Sequence, residues 1–159
     1  MTTKYKNIVL DTNIFLLLII GLIDKEKISS NKRTSIYTNE DFNMLVNMIG
    51  DFNKILTCPN VWTEIDNLCN RIQGKDQWTY LETIKNIMDK SVEEYHKSRS
   101  VVNEYTFQNL GLTDSVLLLL ARDSSLLISG DSSLCDYAKS RSIDVFDFKE
   151  HINLTRYSN

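Results

Sequence analysis

Apolar and polar positions alternate along the chain in blocks that predict strands separated by helices. Short, largely apolar runs are typical of buried strands, and they occur at residues 8–10, 55–57, 126–129 and 143–146. Helical spacing of apolar residues predicts helices at about 13–22, 39–50, 59–68, 77–97, 114–122 and 134–138. Strands that alternate with helices form a parallel sheet covered on both faces. The pattern therefore predicts an α/β fold, a three-layer sandwich in which helices flank a short parallel sheet.

Polar segments and helix breakers predict where these elements begin and end. The capping-box sequence at 38–41 opens the second helix, and Gly50 ends it. Residues 25–35 are polar and predict a loop, and the residues after the last strand predict a polar C-terminal tail. Gly111 breaks a less regular stretch, and Thr113 is expected to cap the helix that follows.

The run from Ile14 to Ile23 is apolar on every side. Its 10 residues are about half of the ~20 that cross a bilayer, so we expect a buried helix and no membrane association. A helix that is apolar all round must be covered on every side. In a small domain, part of that cover is expected from a second subunit or a protein inhibitor. This reasoning predicts a homodimer whose interface includes part of the first two helices.

Composition narrows the class of protein. The 159 residues fit one domain, spanning 1–159, with 42% hydrophobic and 25% charged residues as in ordinary soluble proteins. Cys58, Cys69 and Cys135 form no CxxC pair, which argues against a zinc site or a disulfide framework and favours a reducing, cytoplasmic location. A net charge of -3 gives no overall attraction to nucleic acid, so such binding requires local basic patches.

Four acidic residues stand where an α/β domain places ligand-binding groups. Asp11 and Asp131 follow buried strands, and ligands of parallel sheets gather beyond the carboxyl ends of the strands. Glu64 and Asp114 lie on the apolar sides of predicted helices. Each aspartate taken singly is explained equally well as a helix cap or turn residue. One metal site explains all four together, because carboxylates converge only when a cation or a proton offsets their repulsion.

The motifs around these acids resemble, in order and rough spacing, those of PIN-domain ribonucleases. The resemblance covers nearly the whole chain and rests on the segments 8–13 (IVLDTN), 62–65 (WTEI), 112–114 (LTD) and 127–131 (LISGD), followed by Leu134, Ala138 and the strand at 143–145. It implies an acidic catalytic quartet with two polar neighbours, namely Asp11, Glu64, Asp114 and Asp131 with Asn13 and Ser129. Two features depart from the family. Residues 25–37 lengthen the segment between the first two acids relative to compact toxin members, and Gly130 stands where a basic or polar residue is often found.

The resemblance, together with a donor set that contains only oxygen, favours Mg²⁺ or Mn²⁺. We expect Asp11 and Asp114 to contact the metal directly and Asp131 to bind a second ion or a water held by the metal. Glu64 is expected to orient the attacking water or to complete the metal shell. Replacing Asp11 or Asp114 by asparagine should then leave the metal-free fold at least as stable, because repulsion is relieved. RNA would be steered by basic residues outside the quartet, for which the candidates are Lys25, Lys27, Lys32, Arg33, Arg71 and Lys75.

The family resemblance makes an RNA-cleaving toxin of a toxin–antitoxin or defence system, held by an antitoxin or another protein inhibitor, the expected setting. Two other acid-rich α/β sites fit less well. A phosphoacceptor receiver needs an acid pair beside the first strand and a lysine after a late one, and a haloacid-type phosphatase needs an aspartate where Asn13 stands. The alternative that stays open is a non-catalytic module that binds RNA or protein through the same quartet.

Overall fold

A single sheet of five parallel strands organises the chain, in a computed structural model that describes residues 4–52, 54–69, 72 and 74–158. The strands are β1 (Asn7–Leu10), β2 (Lys54–Thr57), β3 (Ser91–Glu93), β4 (Ser125–Ser129) and β5 (Val145–Asp147), in the order β3-β2-β1-β4-β5. The helices are α1 (Thr12–Ile23), α2 (Asn39–Gly50), α3 (Pro59–Cys69), α4 (Gln77–Lys90), α5 (Ser98–Val101), α6 (Phe107–Leu110), α7 (Leu112–Leu120), α8 (Ser132–Ser140) and α9 (Phe148–Tyr157). The predicted α/β sandwich with a short parallel sheet is confirmed.

Helices cover both faces of the sheet because the chain crosses it in two directions. From β1 through β2 to β3 the chain moves towards one edge, and it then returns to β4 and β5 on the other side of β1. Since parallel crossovers are right-handed, α1 to α4 lie on one face, and α7 and α8 lie on the other. Accordingly, α1 packs against α2, α3 and α4, and α7 packs against β1, β2 and β4.

The register of β1 and β4 brings together the residues that follow these two strands, at the carboxyl end of the sheet. On β1, Ile8 pairs with Leu126 and Leu10 pairs with Ile128, so β1 and β4 end level with each other. The N–H of Asp11 donates to the carbonyl of Ile128 at 3.1 Å, which continues the pairing one residue beyond the strand. The residues that follow β1 and β4 therefore lie side by side.

Most of the apolar helix α1 is covered by its own chain. No residue from Ile14 to Ile20 is more than 5% exposed, because the sheet and α2, α3 and α4 surround the helix. Leu22, near the end of the same run, is 48% exposed, and the predicted homodimer stays a prediction. Of the helices in the described ranges, none is long and apolar enough to cross a membrane.

The predicted helix at 77–97 is too long, because it ends at Lys90 and an edge strand follows. Ser91 has an extended backbone, and its hydroxyl donates to the carbonyl of Ile87 at 2.7 Å, which closes the last turn of α4. Strand β3 is three residues long and only partly buried, and it pairs on one side with β2. A strand this short and exposed leaves no apolar run in the sequence.

The predicted polar tail is also wrong, because the chain ends in helix α9. The carboxylate of Asp147 caps this helix by accepting the N–H of Glu150 at 2.9 Å. Only Phe148 and Ile152 are buried, while Leu154 is largely exposed. Two buried residues one turn apart are too few to stand out in a polar stretch.

Helix α2 begins and ends as the sequence predicts. Thr38 and Asp41 form a reciprocal capping box, in which the Asp41 carboxylate accepts the Thr38 N–H at 2.7 Å and the Thr38 hydroxyl accepts the Asp41 N–H at 3.2 Å. The helix ends at Gly50. It packs against α1, where Gly21 of α1 faces the ring of Phe42.

The contact between α1 and α2 leads to a prediction for two glycines. A Cβ on Gly21 would lie 2.2 Å from a ring carbon of the buried Phe42, whereas a Cβ on Gly50 would meet nothing within 4 Å. We expect Gly21→Ala to lower the free energy of unfolding by about 1–3 kcal/mol through overpacking. Gly50→Ala should change it by no more than about 1 kcal/mol, in the stabilising direction. Urea unfolding of the matched pair measures both, and equal stability of the two variants would contradict this packing.

Candidate metal centre

A cleft of about 440 Å³ opens at the edge of the sheet where β1 and β4 end. All four predicted acidic residues line it, and so does Asn13. The full lining is Asp11, Thr12, Asn13, Glu64, Leu110, Gly111, Leu112, Thr113, Asp114 and Asp131. The cleft thus collects side chains from the start of α1, from α3, from the start of α7 and from the turn after β4.

Asp11 is buried at the base of the cleft and caps α1. Its Oδ1 accepts the N–H of Ile14 at 2.7 Å, and its Oδ2 accepts the N–H of Gly130 at 2.9 Å and the hydroxyl of Ser129. Burial raises the pKa of Asp11, and Asp131 adds to the increase, while these three hydrogen bonds oppose it. The cap interpretation of Asp11 is confirmed, and one carboxylate joins β1, α1 and the turn after β4.

Glu64 is held in the cleft by two threonine hydroxyls. Thr12 of α1 donates to Oε2 at 2.7 Å, and Thr113 of α7 donates to Oε1. The neighbours Val61 and Ile65 are buried, which explains why Glu64 lies on the inner side of α3. The predicted capping role of Thr113 is wrong, because Gly111 is the N-cap, with a φ of 84°. Sequence reasoning missed both hydroxyls as partners of Glu64, and the available signal was that each threonine directly adjoins a predicted acid.

Asp114 is the residue whose charge is least compensated. It lies in the first turn of α7 and is half-buried. Burial raises the pKa of Asp114 to about 7, and the carboxylates of Asp11, Asp131 and Glu64 contribute in that order. Within the described residues its carboxylate accepts no hydrogen bond, so it does not satisfy free N–H groups of its helix.

Asp131 is exposed at the rim of the cleft and caps α8. Its Oδ1 accepts the N–H groups of Ser133 and Leu134 at 2.8 and 3.1 Å. Its own N–H donates to the hydroxyl oxygen of Ser129 at 3.0 Å. Ser129 does not line the cleft, but its hydroxyl links the two aspartates from behind. The supporting place expected for Ser129 is therefore visible in its contacts.

The donors in the cleft have the chemistry that Mg²⁺ prefers, although they do not form a closed cage. No group of three His, Cys, Asp or Glu side chains in the described ranges is arranged to hold a metal ion. Unused acceptor sites remain on both oxygens of Asp114 and on Oδ2 of Asp131, and no basic residue is among those that line the cleft. Because Mg²⁺ keeps several waters and binds through one or two carboxylates, these residues fit it without a third direct ligand.

The described basic residues among those predicted to steer RNA do not line the cleft. Lys25, Lys27, Lys32 and Arg33 follow the C-terminal end of α1, whose 12 residues span about 18 Å from the cleft. Lys27 forms an ion pair with Asp76. Lys75 is exposed in a 3₁₀ helix, and Arg71 lies outside the described residues. None of the five described candidates lines the cleft.

The raised pKa of Asp114 predicts a pH-dependent stability. Between its ordinary value of 3.8 and about 7, the folded protein holds more protons than the unfolded one. The contribution of Asp114 to the free energy of unfolding therefore falls as pH rises through this window and is constant above it. The full shift corresponds to about 4 kcal/mol, and solvent in the open cleft reduces the effect to the order of 1–2 kcal/mol.

Asp114→Asn should remove this loss without metal present, so its stability advantage over wild type should grow between about pH 4.5 and pH 7.5. Urea unfolding in EDTA across this range measures the difference. Asp89→Asn, at an exposed position on α4, is the matched control and should track the wild type. A variant no more stable than wild type at any pH would show that the carboxylates do not repel one another.

Asp11→Asn and Asp114→Asn were both expected to leave the fold at least as stable as that of the wild type. The contacts of Asp11 predict a different result for Asp11→Asn. Both oxygens of Asp11 accept hydrogen bonds, and asparagine offers only one acceptor oxygen. An N–H of Ile14 or Gly130 would then face an amide NH₂. We expect Asp11→Asn to lower the free energy of unfolding by about 1–3 kcal/mol. Urea unfolding at neutral pH checks this, and a gain equal to that of Asp114→Asn would contradict it.

The chain matches no protein-family model and no curated protein. What the cleft does therefore has to be inferred from the residues that line it.

Proposed function

We propose that the cleft holds Mg²⁺ or Mn²⁺ and that the protein is a metal-dependent endoribonuclease that hydrolyses RNA phosphodiester bonds. The observation that carries the proposal is Asp114, a carboxylate with no hydrogen bond in the described structure, crowded by three other carboxylates with no basic residue in the lining. Such an arrangement is costly to the fold, and a bound cation offsets it. Carboxylates whose pKa is shifted in this way are concentrated at functional sites.

The existing hydrogen bonds of each residue in the cleft indicate the role that it would take. Asp114, with both oxygens unused, and Asp11 would hold the cation, and Asp131 would join through its unused oxygen or through a water. Glu64, fixed by Thr12 and Thr113, keeps a lone pair on each oxygen and can accept a hydrogen bond from the attacking water. A bound divalent cation supplies charge neutralisation at the phosphate and acidifies water.

RNA as the substrate rests on the resemblance to PIN-domain ribonucleases. So does the proposed setting, an RNA-cleaving toxin in the cytoplasm that an antitoxin or another protein inhibitor restrains. A homodimer is also part of this proposal, with an interface formed by surfaces other than the buried face of α1.

A non-catalytic module that binds RNA or protein is the second candidate function. The observation that favours it is that no closed group of metal ligands exists in the described part of the chain. In that case the carboxylates would face a basic partner, and Asp11 and Asp131 would act as helix caps alone. The two functions differ in whether a divalent cation is required.

Cleavage assays test the proposal directly. The purified protein should cleave labelled single-stranded or structured RNA in the presence of Mg²⁺ or Mn²⁺, and EDTA should stop it. Asp114→Asn should reduce the rate by at least about 100-fold, the upper end of what loss of a residue supporting a metal costs. Asp89→Asn should cleave at the wild-type rate.

Activity that persists in excess chelator would contradict the metal mechanism. Absence of cleavage combined with metal-independent RNA or protein binding would favour the non-catalytic module.

A further inference from the structure

A buried tyrosine lies directly behind the candidate metal centre. Tyr37 is only 3% exposed, although it ends the polar segment that lengthens this chain between its first two acids. Its ring packs edge-on against Phe148 of α9, with centroids 5.7 Å apart. Its hydroxyl points at Gly130, in the turn after β4. The segment at 25–37 thus places the side chain of Tyr37 behind the candidate metal centre.

The hydroxyl of Tyr37 occupies the space that a side chain on residue 130 would need. A Cβ on Gly130 would lie 2.4 Å from the Tyr37 Oη but 3.7 Å from its Cζ, and 3.6 Å from Ile14 Cδ1. The first distance is a severe overlap, and the other two are ordinary van der Waals contacts. The hydroxyl alone, and not the ring, therefore requires glycine at position 130, where the family resemblance leads one to expect a larger residue.

The turn that contains Gly130 orients Asp11 through hydrogen bonds. Ser129 and Gly130 both donate to Asp11, and the N–H of Asp131 donates to the Ser129 hydroxyl oxygen. A shift of Gly130 would move two of the three donors that orient the Asp11 carboxylate. The position of this turn therefore affects two acids of the centre at once.

Tyr37 is itself held from both sides. Its N–H donates to the carbonyl of Thr34 at 2.9 Å, and the buried Thr34 hydroxyl donates to the carbonyl of Ile28 at 2.8 Å. Arg156 of α9 donates to the carbonyl of Ile36 at 3.0 Å and forms an ion pair with Asp41. The loop and the C-terminal helix together hold the aromatic ring against the turn.

We propose that Tyr37 is a positioning residue of the metal centre. Its hydroxyl, packed against Gly130, sets the position of the turn at 129–131 and thereby orients Asp11 and Asp131. Tyr37 contacts neither substrate nor metal in this role. The effect on RNA cleavage rests on the proposed function, whereas the effect on the turn does not.

A double-mutant cycle of wild type, Tyr37→Phe, Gly130→Ala and the double variant tests the contact. Gly130→Ala should weaken Mn²⁺ binding and lower kcat by about 10–100-fold, as loss of outer support for a metal ligand does, with little change in KM for RNA. Tyr37→Phe/Gly130→Ala should recover most of this loss, because the added Cβ then makes only ordinary contacts, with Tyr37 Cζ at 3.7 Å and Ile14 Cδ1 at 3.6 Å. Such recovery is the non-additivity expected of residues in contact. Hydrogen exchange of the residue 130 amide, which donates to Asp11, should quicken in Gly130→Ala and slow again in the double variant.

Two control variants remove similar groups elsewhere. Tyr80→Phe deletes the hydroxyl of another buried tyrosine, which does not line the cleft. Gly50→Ala adds a methyl group in open space. Neither should alter Mn²⁺ affinity. If Gly130→Ala fails to fold, the double variant should fold, since the overlap is gone.

The outcomes separate this proposal from the proposed function. A double variant as impaired as Gly130→Ala, or a Gly130→Ala protein that behaves as wild type, would overturn the positioning role. Wild-type protein that cleaves no RNA would contradict the nuclease proposal, while recovery of Mn²⁺ affinity in the double variant would still support Tyr37. If Mn²⁺ does not bind at all, the exchange rate at position 130 decides alone.

Discussion

The buried carboxylate of Asp11 is the interaction on which the rest of the centre depends. Its three donors come from the first turn of α1 and from the turn after β4, so it ties together two segments that are more than 100 residues apart in the chain. Hydrogen bonds to a charged group contribute about 1.5–3 kcal/mol each, which offsets much of the cost of burying it. The three donors reach Asp11 because β1 and β4 are neighbouring strands whose carboxyl ends lie side by side.

The cleft above Asp11 combines well-satisfied and poorly satisfied carboxylates. Glu64 is fixed by hydroxyls from α1 and α7, and Asp131 is satisfied as a helix cap. Asp114 carries the least compensated charge, since burial, and after it the carboxylates of Asp11, Asp131 and Glu64, raise its pKa to about 7. A protein that concentrates destabilising charge at one place loses stability there, and a ligand that binds only the folded state recovers it. The divalent cation that we propose for this cleft is a ligand of that kind.

The sequence predicted the positions of the four acids better than it predicted the structure that supports them. The four acids lie together as expected, because strand ends and inward helix faces follow directly from apolar patterning. The threonines that hold Glu64 were missed, since a hydroxyl beside an acid looks like a cap until its partner, about 50 residues away, is placed. Strand β3, helix α9 and Tyr37 were missed because each contributes at most two buried side chains in a polar stretch.

Anomalous scattering from crystals soaked in MnCl₂ tests the central claim, that the four carboxylates form a cation site, without any assumption about the substrate. A manganese peak should lie within the cleft, between Asp114 and the carboxylates of Asp11 and Asp131, and it should be lost in crystals of Asp114→Asn. The absence of a manganese peak from the cleft at millimolar Mn²⁺, or a peak that persists in Asp114→Asn, would contradict the account.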